Sequence, residues 1–176
     1  MATTAPALDW ATAVHGVLGA LGTRQVAYVP DAGHRRLIER CLADPSMTAL
    51  PLTTEEEGVA VLAGAWLGGE KGVLLMQSSG VGNCLNMLSL TRACRFPLLM
   101  LVTMRGQWGE FNPWQVPMGQ NCADMLRLAG VLVYDVDQAE DMPDTVQAAA
   151  RIAFDGPAAA AVLISQRLIG IKTFGR

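Results

Sequence analysis

The chain has 176 residues, a length that suits one domain with a full-sized core. Its net charge is -3 and it carries no basic run, so nucleic-acid binding has no electrostatic support, and no apolar stretch reaches membrane-span length. Hydrophobic residues make up 51% and charged residues 16%, an apolar balance that points to a large interface buried against another chain.

Apolar residues at helical spacing predict a first helix over Leu8 to Leu21, stopped by Gly22. Gln25 to Val29 reads as a short strand ended by Pro30. DAGHRRLIERCLA then opens a second helix, with Asp31 as its cap and Leu37, Ile38, Cys41 and Leu42 as its inner face. Thr48 to Leu52 gives a second short strand. A small-residue helix runs from Glu55 to Leu67 and stops at Gly68-Gly69. Gly72 to Gln77 (GVLLMQ) is a continuous apolar strand of the kind buried on both faces. SSGVGN turns into a helix from Cys84 to Arg95, and Leu98 to Thr103 (LLMLVT) is another buried strand. The segment Met104 to Gln120 reads as irregular. A helix over Asn121 to Ala129, a strand over Val131 to Val136, a helix over Ala139 to Phe154 and a strand over Ala159 to Ile164 complete the chain. Strands alternate with helices throughout, which predicts an α/β fold: a doubly wound, mainly parallel six-stranded sheet with helices on both faces.

Ligands of such sheets bind beyond the carboxyl ends of the strands. Three segments fall there: DAGH, QSSGVGN and the long loop RGQWGEFNPWQVPMGQ. A structureless loop of that length in a compact domain is usually functional. SSGVGN could cradle a phosphate at a helix start, or be a plain strand-to-helix turn; it lacks a P-loop lysine and dinucleotide-fingerprint spacing. His34, beside Arg35 and Arg36, is either an exposed helix start or a substrate-facing group. Arg105 could fork onto a sulfonate or carboxylate, with Gln115 and Gln120 beyond it. Trp108, Phe111 and Trp114 suit a lid or a subunit contact. The cysteines Cys41, Cys84, Cys94 and Cys122 form no CxxC pair and no cluster with histidine, so zinc is not expected. With no signal peptide at the N-terminus, reduced thiols and a cytoplasmic setting are expected.

The segment Thr53 to Gly82 carries the most information. Thr53 or Thr54 followed by Glu56 or Glu57 fits a capping box, and acids in a first turn suit the helix dipole. Gly58, Ala60, Ala63, Gly64 and Ala65 leave the helix bare, as where another backbone or a flat ligand presses close. An acid at the start of such a helix would be partly desolvated, with a raised pKa.

EEEGVAVLAGAWLGG, LLMQSSGVGN and QVPMGQ together resemble the sulfopyruvate decarboxylase α-subunit family, and more broadly the pyrimidine-binding domain of thiamine diphosphate enzymes. The resemblance covers most of the chain, from the first helix to the last strand. It implies that a glutamate two residues before the helix glycine hydrogen-bonds the aminopyrimidine ring, protonating N1′, and this role falls on Glu56. It places Gly80, Gly82 and Asn83 along the cofactor pocket and Gln77, Ser78 and Ser79 near the substrate. His34, Arg105 and Gln115 are further substrate-side candidates. The sequence has no GDG run for the cofactor diphosphate and Mg2+. The resemblance therefore implies that residues 1–176 form a single pyrimidine-type domain, active in a hetero-oligomer whose β subunit carries the diphosphate-binding domain and the metal. The expected activity is decarboxylation of a small anionic 2-oxo acid, 3-sulfopyruvate first and phosphonopyruvate second. A carboligase subunit, a non-catalytic scaffolding or regulatory subunit, and a self-sufficient flavodoxin-like or nucleotide-binding module stand as alternatives.

Overall fold

The computed structural model describes residues 8–171. All six strands are parallel, in the order β2-β1-β3-β4-β6-β5. In chain order the elements are α1 (Trp10–Ala20), β1 (Thr23–Tyr28), α2 (Arg35–Ala43), β2 (Thr48–Pro51), α3 (Glu55–Leu67), β3 (Lys71–Gln77), α4 (Ser78–Cys84), α5 (Ser89–Ala93), β4 (Leu98–Thr103), α6 (Val116–Leu128), β5 (Leu132–Val136), α7 (Met142–Asp155), β6 (Ala159–Ile164) and α8 (Gln166–Ile169). No helix among the described residues is long and apolar enough to cross a membrane.

Side chains alternate across the central strands and so feed two cores. Val73, Leu75, Leu99, Leu101, Ala160 and Val162 face α1, α2 and α7. Leu74, Met76, Leu98, Met100, Val102 and Leu163 face α3, α4 and α6. Strands β4 and β6 are buried along their whole length, which is why they read as unbroken apolar runs. Each large side chain among them contributes roughly 1.5–3 kcal/mol of transfer free energy. Ala160 of β6 shares a core with Ala149, Ala150 and Ala153 of α7, all fully buried, so this helix sits close on the sheet.

Several expected boundaries move. Leu42 is exposed, and the inner face of α2 is Leu37, Ile38 and Cys41. Asp31 does not cap α2; His34 occupies that position. SSGVGN is not a turn before a helix. It is helix α4 itself, and the helix expected from Cys84 to Arg95 is instead the short α5, Ser89–Ala93. QVPMGQ is not loop either. A short 3-10 turn at Pro113–Gln115 leads directly into α6, with a proline in the first turn, where its missing N–H is no loss. Helix α8 was not expected.

The sheet order positions the site. After β1 the chain turns into α2 on one face; after its neighbour β3 it turns into α4 on the other. The connections diverge between adjacent strands, and a crevice opens at their carboxyl ends.

Candidate functional site

Asp31 sits in this crevice, just beyond β1. Thr103, at the end of β4, donates its hydroxyl to Asp31 Oδ2. The Gly33 amide donates to the same oxygen at 3.2 Å, and Gln77 Nε2 donates to Oδ1 at 3.2 Å. Burial raises the Asp31 pKa, but the nearby His34 and these hydrogen bonds outweigh it, and the net shift is downward. Asp31 therefore stays ionised while tying three strand ends together. Sequence reasoning assigned it only a capping role. Its signal was position, the first acid after a strand at a carboxyl end.

His34 is fully buried and does not face a ligand from an exposed loop. Its Nε2 hydrogen-bonds the Leu101 carbonyl at 3.0 Å, and its ring meets Trp10 edge-on at 6.5 Å. Burial lowers its pKa, so the ring is neutral at neutral pH. Nδ1 has no partner. The exposed helix start is corrected: His34, also a substrate-side candidate, packs between α1 and β4.

The β3–α4 junction holds the serines. Gln77 Oε1 accepts from the exposed Ser79 hydroxyl at 2.9 Å. Ser78 is buried, and its Oγ accepts from the Arg105 amide at 3.0 Å. This contact locks α4 to the segment after β4 and takes Ser78 away from solvent.

The three consecutive glutamates have three different fates. Glu57 closes the capping box with Thr54; its Oε2 also accepts from the Thr53 amide at 2.7 Å. Glu55 is buried against α4, where its Oε2 accepts from Asn83 Nδ2 at 2.8 Å. A Cβ at Gly80 would lie 2.4 Å from the Glu55 side chain, so the bare Gly80 makes room for this glutamate. Gly80 and Asn83, expected to line a cofactor pocket, both meet Glu55, while Gly82 is exposed. Glu56 is half-buried. Its Oε2 is shielded from water and has no hydrogen-bond partner. The Thr54 hydroxyl lowers its pKa, against the raised value expected from desolvation. One and two turns further along the same face of α3 are Ala60 and Gly64, both exposed, and Gly64 has no atom within 4 Å of where a Cβ would stand. The opposite side of the helix is tight: a Cβ on Gly58 would come within 2.4 Å of Leu74. Small residues on α3 thus do two jobs, close packing on the sheet and an open outer face.

The segment after β4 is ordered by its own contacts. Arg105 is 3% exposed, and its Nε and Nη2 both donate to Glu110, the Nε contact at 2.8 Å. The fork expected to meet a substrate is therefore occupied, and Nη1 alone lacks a partner. Glu110 is also largely enclosed. Burial raises its pKa, but Arg105 and the amides of Asn112 and Gly106 outweigh that and bring it to about 2. The Glu110–Arg105 spacing of five residues was the only sequence signal for this pair. Gln115 Oε1 is shielded and unpartnered, whereas Gln120 Nε2 donates to the Gly106 carbonyl at 2.7 Å. Trp108, Phe111 and Trp114 are all exposed, and Arg167 lies 5.0 Å from the Trp108 ring.

No family model matches the chain. The α subunit of sulfopyruvate decarboxylase from Methanothermobacter thermautotrophicus is 40% identical over 122 residues, which cover 69% of this chain and 74% of that protein. The chain belongs to the sulfopyruvate decarboxylase α-subunit family. The α subunit from Methanococcus maripaludis is 40% identical over 100 residues and 60% of its length. Phosphonopyruvate decarboxylase from Streptomyces viridochromogenes is 43% identical over 117 residues, but these span 29% of that enzyme. In three dimensions the sulfopyruvate decarboxylase-type chain superposes on 2-oxoglutarate:ferredoxin oxidoreductase from Magnetococcus marinus with a TM-score of 0.72. At 15% identity, over 92% of this chain and 29% of that one, this likeness shows a shared fold.

Proposed function

We propose that the chain is the α subunit of a thiamine diphosphate-dependent decarboxylase that converts 3-sulfopyruvate to sulfoacetaldehyde and CO2, active only with a partner β subunit. The observation that carries this reading is Glu56. It is an ionised carboxylate with one shielded, unpartnered oxygen, at the head of a helix face left open by Ala60 and Gly64. That arrangement fits an aminopyrimidine ring, which would offer a hydrogen-bond donor to the carboxylate and a flat surface to the bare face.

The fit is to one half of the cofactor. Among the described residues no group of three or more His, Cys, Asp or Glu could hold a metal ion. In this reading residues 1–176 form the pyrimidine-type domain, and the β subunit holds the diphosphate and Mg2+. When bound, the cofactor supplies the electron sink that lets the substrate carboxylate leave as CO2. Glu56 would share a proton with ring atom N1′, its lowered pKa making it the acceptor at neutral pH. Gly82 is exposed on α4 and would leave room there for the ring. Gln77, Ser79 and Asp31 present polar groups at the crevice, Ser78 fixes the Arg105 backbone, and Gln115 Oε1 and Arg105 Nη1 are the uncommitted polar atoms of the loop. The relatives' names support the substrate class, and the phosphonopyruvate relative makes phosphonopyruvate the second candidate.

The test is to co-purify the chain with its β subunit and assay CO2 release from sulfopyruvate, phosphonopyruvate and pyruvate, with and without thiamine diphosphate and Mg2+. Cofactor-dependent release from sulfopyruvate is expected. A stable complex that releases CO2 from none of the three would sink the reading.

A further inference from the structure

Arg105 offers three nitrogens, and Glu110 takes two of them. The third, Nη1, is shielded from bulk water without a partner. Buried polar groups are almost always paired, so this edge of the guanidinium is open to a partner. Arg105 also lines a cavity of about 220 Å³, shared with Asp31, Ala32, Gly33 and Ile169 to Ile171. That volume lies below the ~300–1,000 Å³ of pockets for drug-sized ligands, so its occupant is small.

Glu110 is held as firmly as the arginine it holds. Besides Arg105 it accepts from the Gly106 amide at 3.0 Å, the Asn112 amide at 2.8 Å and Gln166 Nε2 at 3.0 Å. Gln166 is itself fully buried. Its Oε1 accepts from the Gln107 and Trp108 amides, each at 3.0 Å, and Gln107 Oε1 accepts from the Gln166 amide at 3.1 Å. Two glutamines from distant parts of the chain clasp each other, and Gln166 in turn holds the Glu110 carboxylate in place. A guanidinium forked onto such a fixed carboxylate can present its remaining edge in one direction only.

The opposite wall matters too. Asp31 is ionised, but Thr103, Gly33 and Gln77 already share its charge. Glu110 cancels most of the Arg105 charge. The subsite therefore recognises an acceptor oxygen by direction more than by net field.

We propose that Glu110 and Gln166 are positioning residues, which hold Arg105 so that Nη1 donates to a sulfonate or carboxylate oxygen of a small dianionic acid in the cavity beside Asp31. This rests on reading the chain as a subunit acting on such an acid. It assigns Arg105 a fixed single-point contact in place of the two-point fork expected from the sequence.

The experiment uses the α/β complex and sulfoacetate, a stable probe carrying both a sulfonate and a carboxylate, with calorimetric Kd as the first readout. Glu110→Gln, Gln166→Leu and Arg105→Lys are each expected to weaken sulfoacetate binding about tenfold or more. For the two positioning variants the KM for sulfopyruvate should rise by a similar factor, while kcat changes far less, the signature of lost ground-state binding. Should Glu110→Gln fail to fold, Gln166→Leu gives the same readout with every charge retained. Unchanged Kd and KM in folded variants would overturn the proposal, as would wild-type complex that binds no sulfoacetate. Arg105-dependent binding without turnover would leave the subsite standing and sink the catalytic reading. Turnover with indifferent variants would do the reverse.

Discussion

Glu56 and Glu110 both lie beyond the carboxyl ends of strands of one sheet, and their surroundings are opposite. Glu110 accepts from Arg105, two backbone amides and Gln166, all within the chain. Glu56 has an oxygen shielded from water that receives no hydrogen bond, and its helix face continues into the exposed Ala60 and Gly64. One carboxylate is finished by its own polypeptide. In the proposed reading the other is finished by a bound aminopyrimidine ring. A buried unmatched polar oxygen is costly in a lone chain, and a partner or ligand supplying a donor removes that cost.

The sharpest way to break this contrast is to neutralise Glu56. Glu56→Gln keeps the shape, so the thermal midpoint should hold while turnover in the α/β complex falls by roughly 10²–10⁴-fold. Its neighbour is the control. Glu55→Gln, which alters an acid already bound to Asn83, should lower the thermal midpoint more than it lowers kcat. A reversal of the two phenotypes would transfer the catalytic role to Glu55.

On the finished side, the largest structural effect is expected at Gly119. A Cβ there would stand 1.8 Å from the Arg105 carbonyl oxygen, a backbone atom with no rotamer to yield. Gly119→Ala should destabilise by about 3 kcal/mol, the upper end of the usual overpacking range. Urea melts with an unchanged slope would measure it. Wild-type stability in that variant would show that the loop is not held by the Arg105–α6 contact.

Acid titration reads the same region more gently. The Glu110 pKa lies at about 2 in the folded chain against an ordinary value of 4.5. A depressed carboxylate stabilises the fold above its unfolded pKa, and that contribution is lost as pH falls through the folded one. Unfolding free energy should therefore drop between pH 4.5 and 2 more steeply in the wild type than in Glu110→Gln. Parallel slopes would mean that Glu110 titrates normally.

The smallest effect concerns thiol reactivity. Cys94 is exposed, whereas burial pushes Cys41 up to about 11 and Cys84 and Cys122 up to about 12. A neutral-pH thiol reagent should label Cys94 fast and the other three only on unfolding. Rapid labelling of Cys84, which lies near Glu55 and Glu56, would mean that the α3–α4 side opens in solution.

The alternation of buried apolar runs with helical spacing made the sheet legible before any coordinates. The strand from Ala159 to Ile164 and the helix from Glu55 to Leu67 keep their expected limits. The misreadings fall at SSGVGN, read as a turn, and at QVPMGQ, read as part of an irregular segment. Gly80 lies inside α4 because its missing Cβ admits the Glu55 side chain. The proline of QVPMGQ lies in the first turn of α6, where it needs no donor. His34 read as an exposed helix start or a substrate-facing group, yet it packs fully buried against Trp10 and the Leu101 carbonyl. Nothing local to DAGH announces that β4 lies beneath it.

By itself the sequence determined the periodic elements, their alternation and hence a parallel α/β sheet, because burial of a strand or a helix face is written in local spacing. It also singled out the run of three glutamates. Which of the three is capped, which is buried and which is left open depended on Thr54, Asn83 and Gly80 meeting the start of α3 in space. The pairing of Arg105 with Glu110, and the hold on Glu110 by Gln166 from the end of the chain, were likewise decided only by tertiary structure. A side chain's charge is fixed by its identity, but its partner is fixed by which strand ends the sheet order brings together.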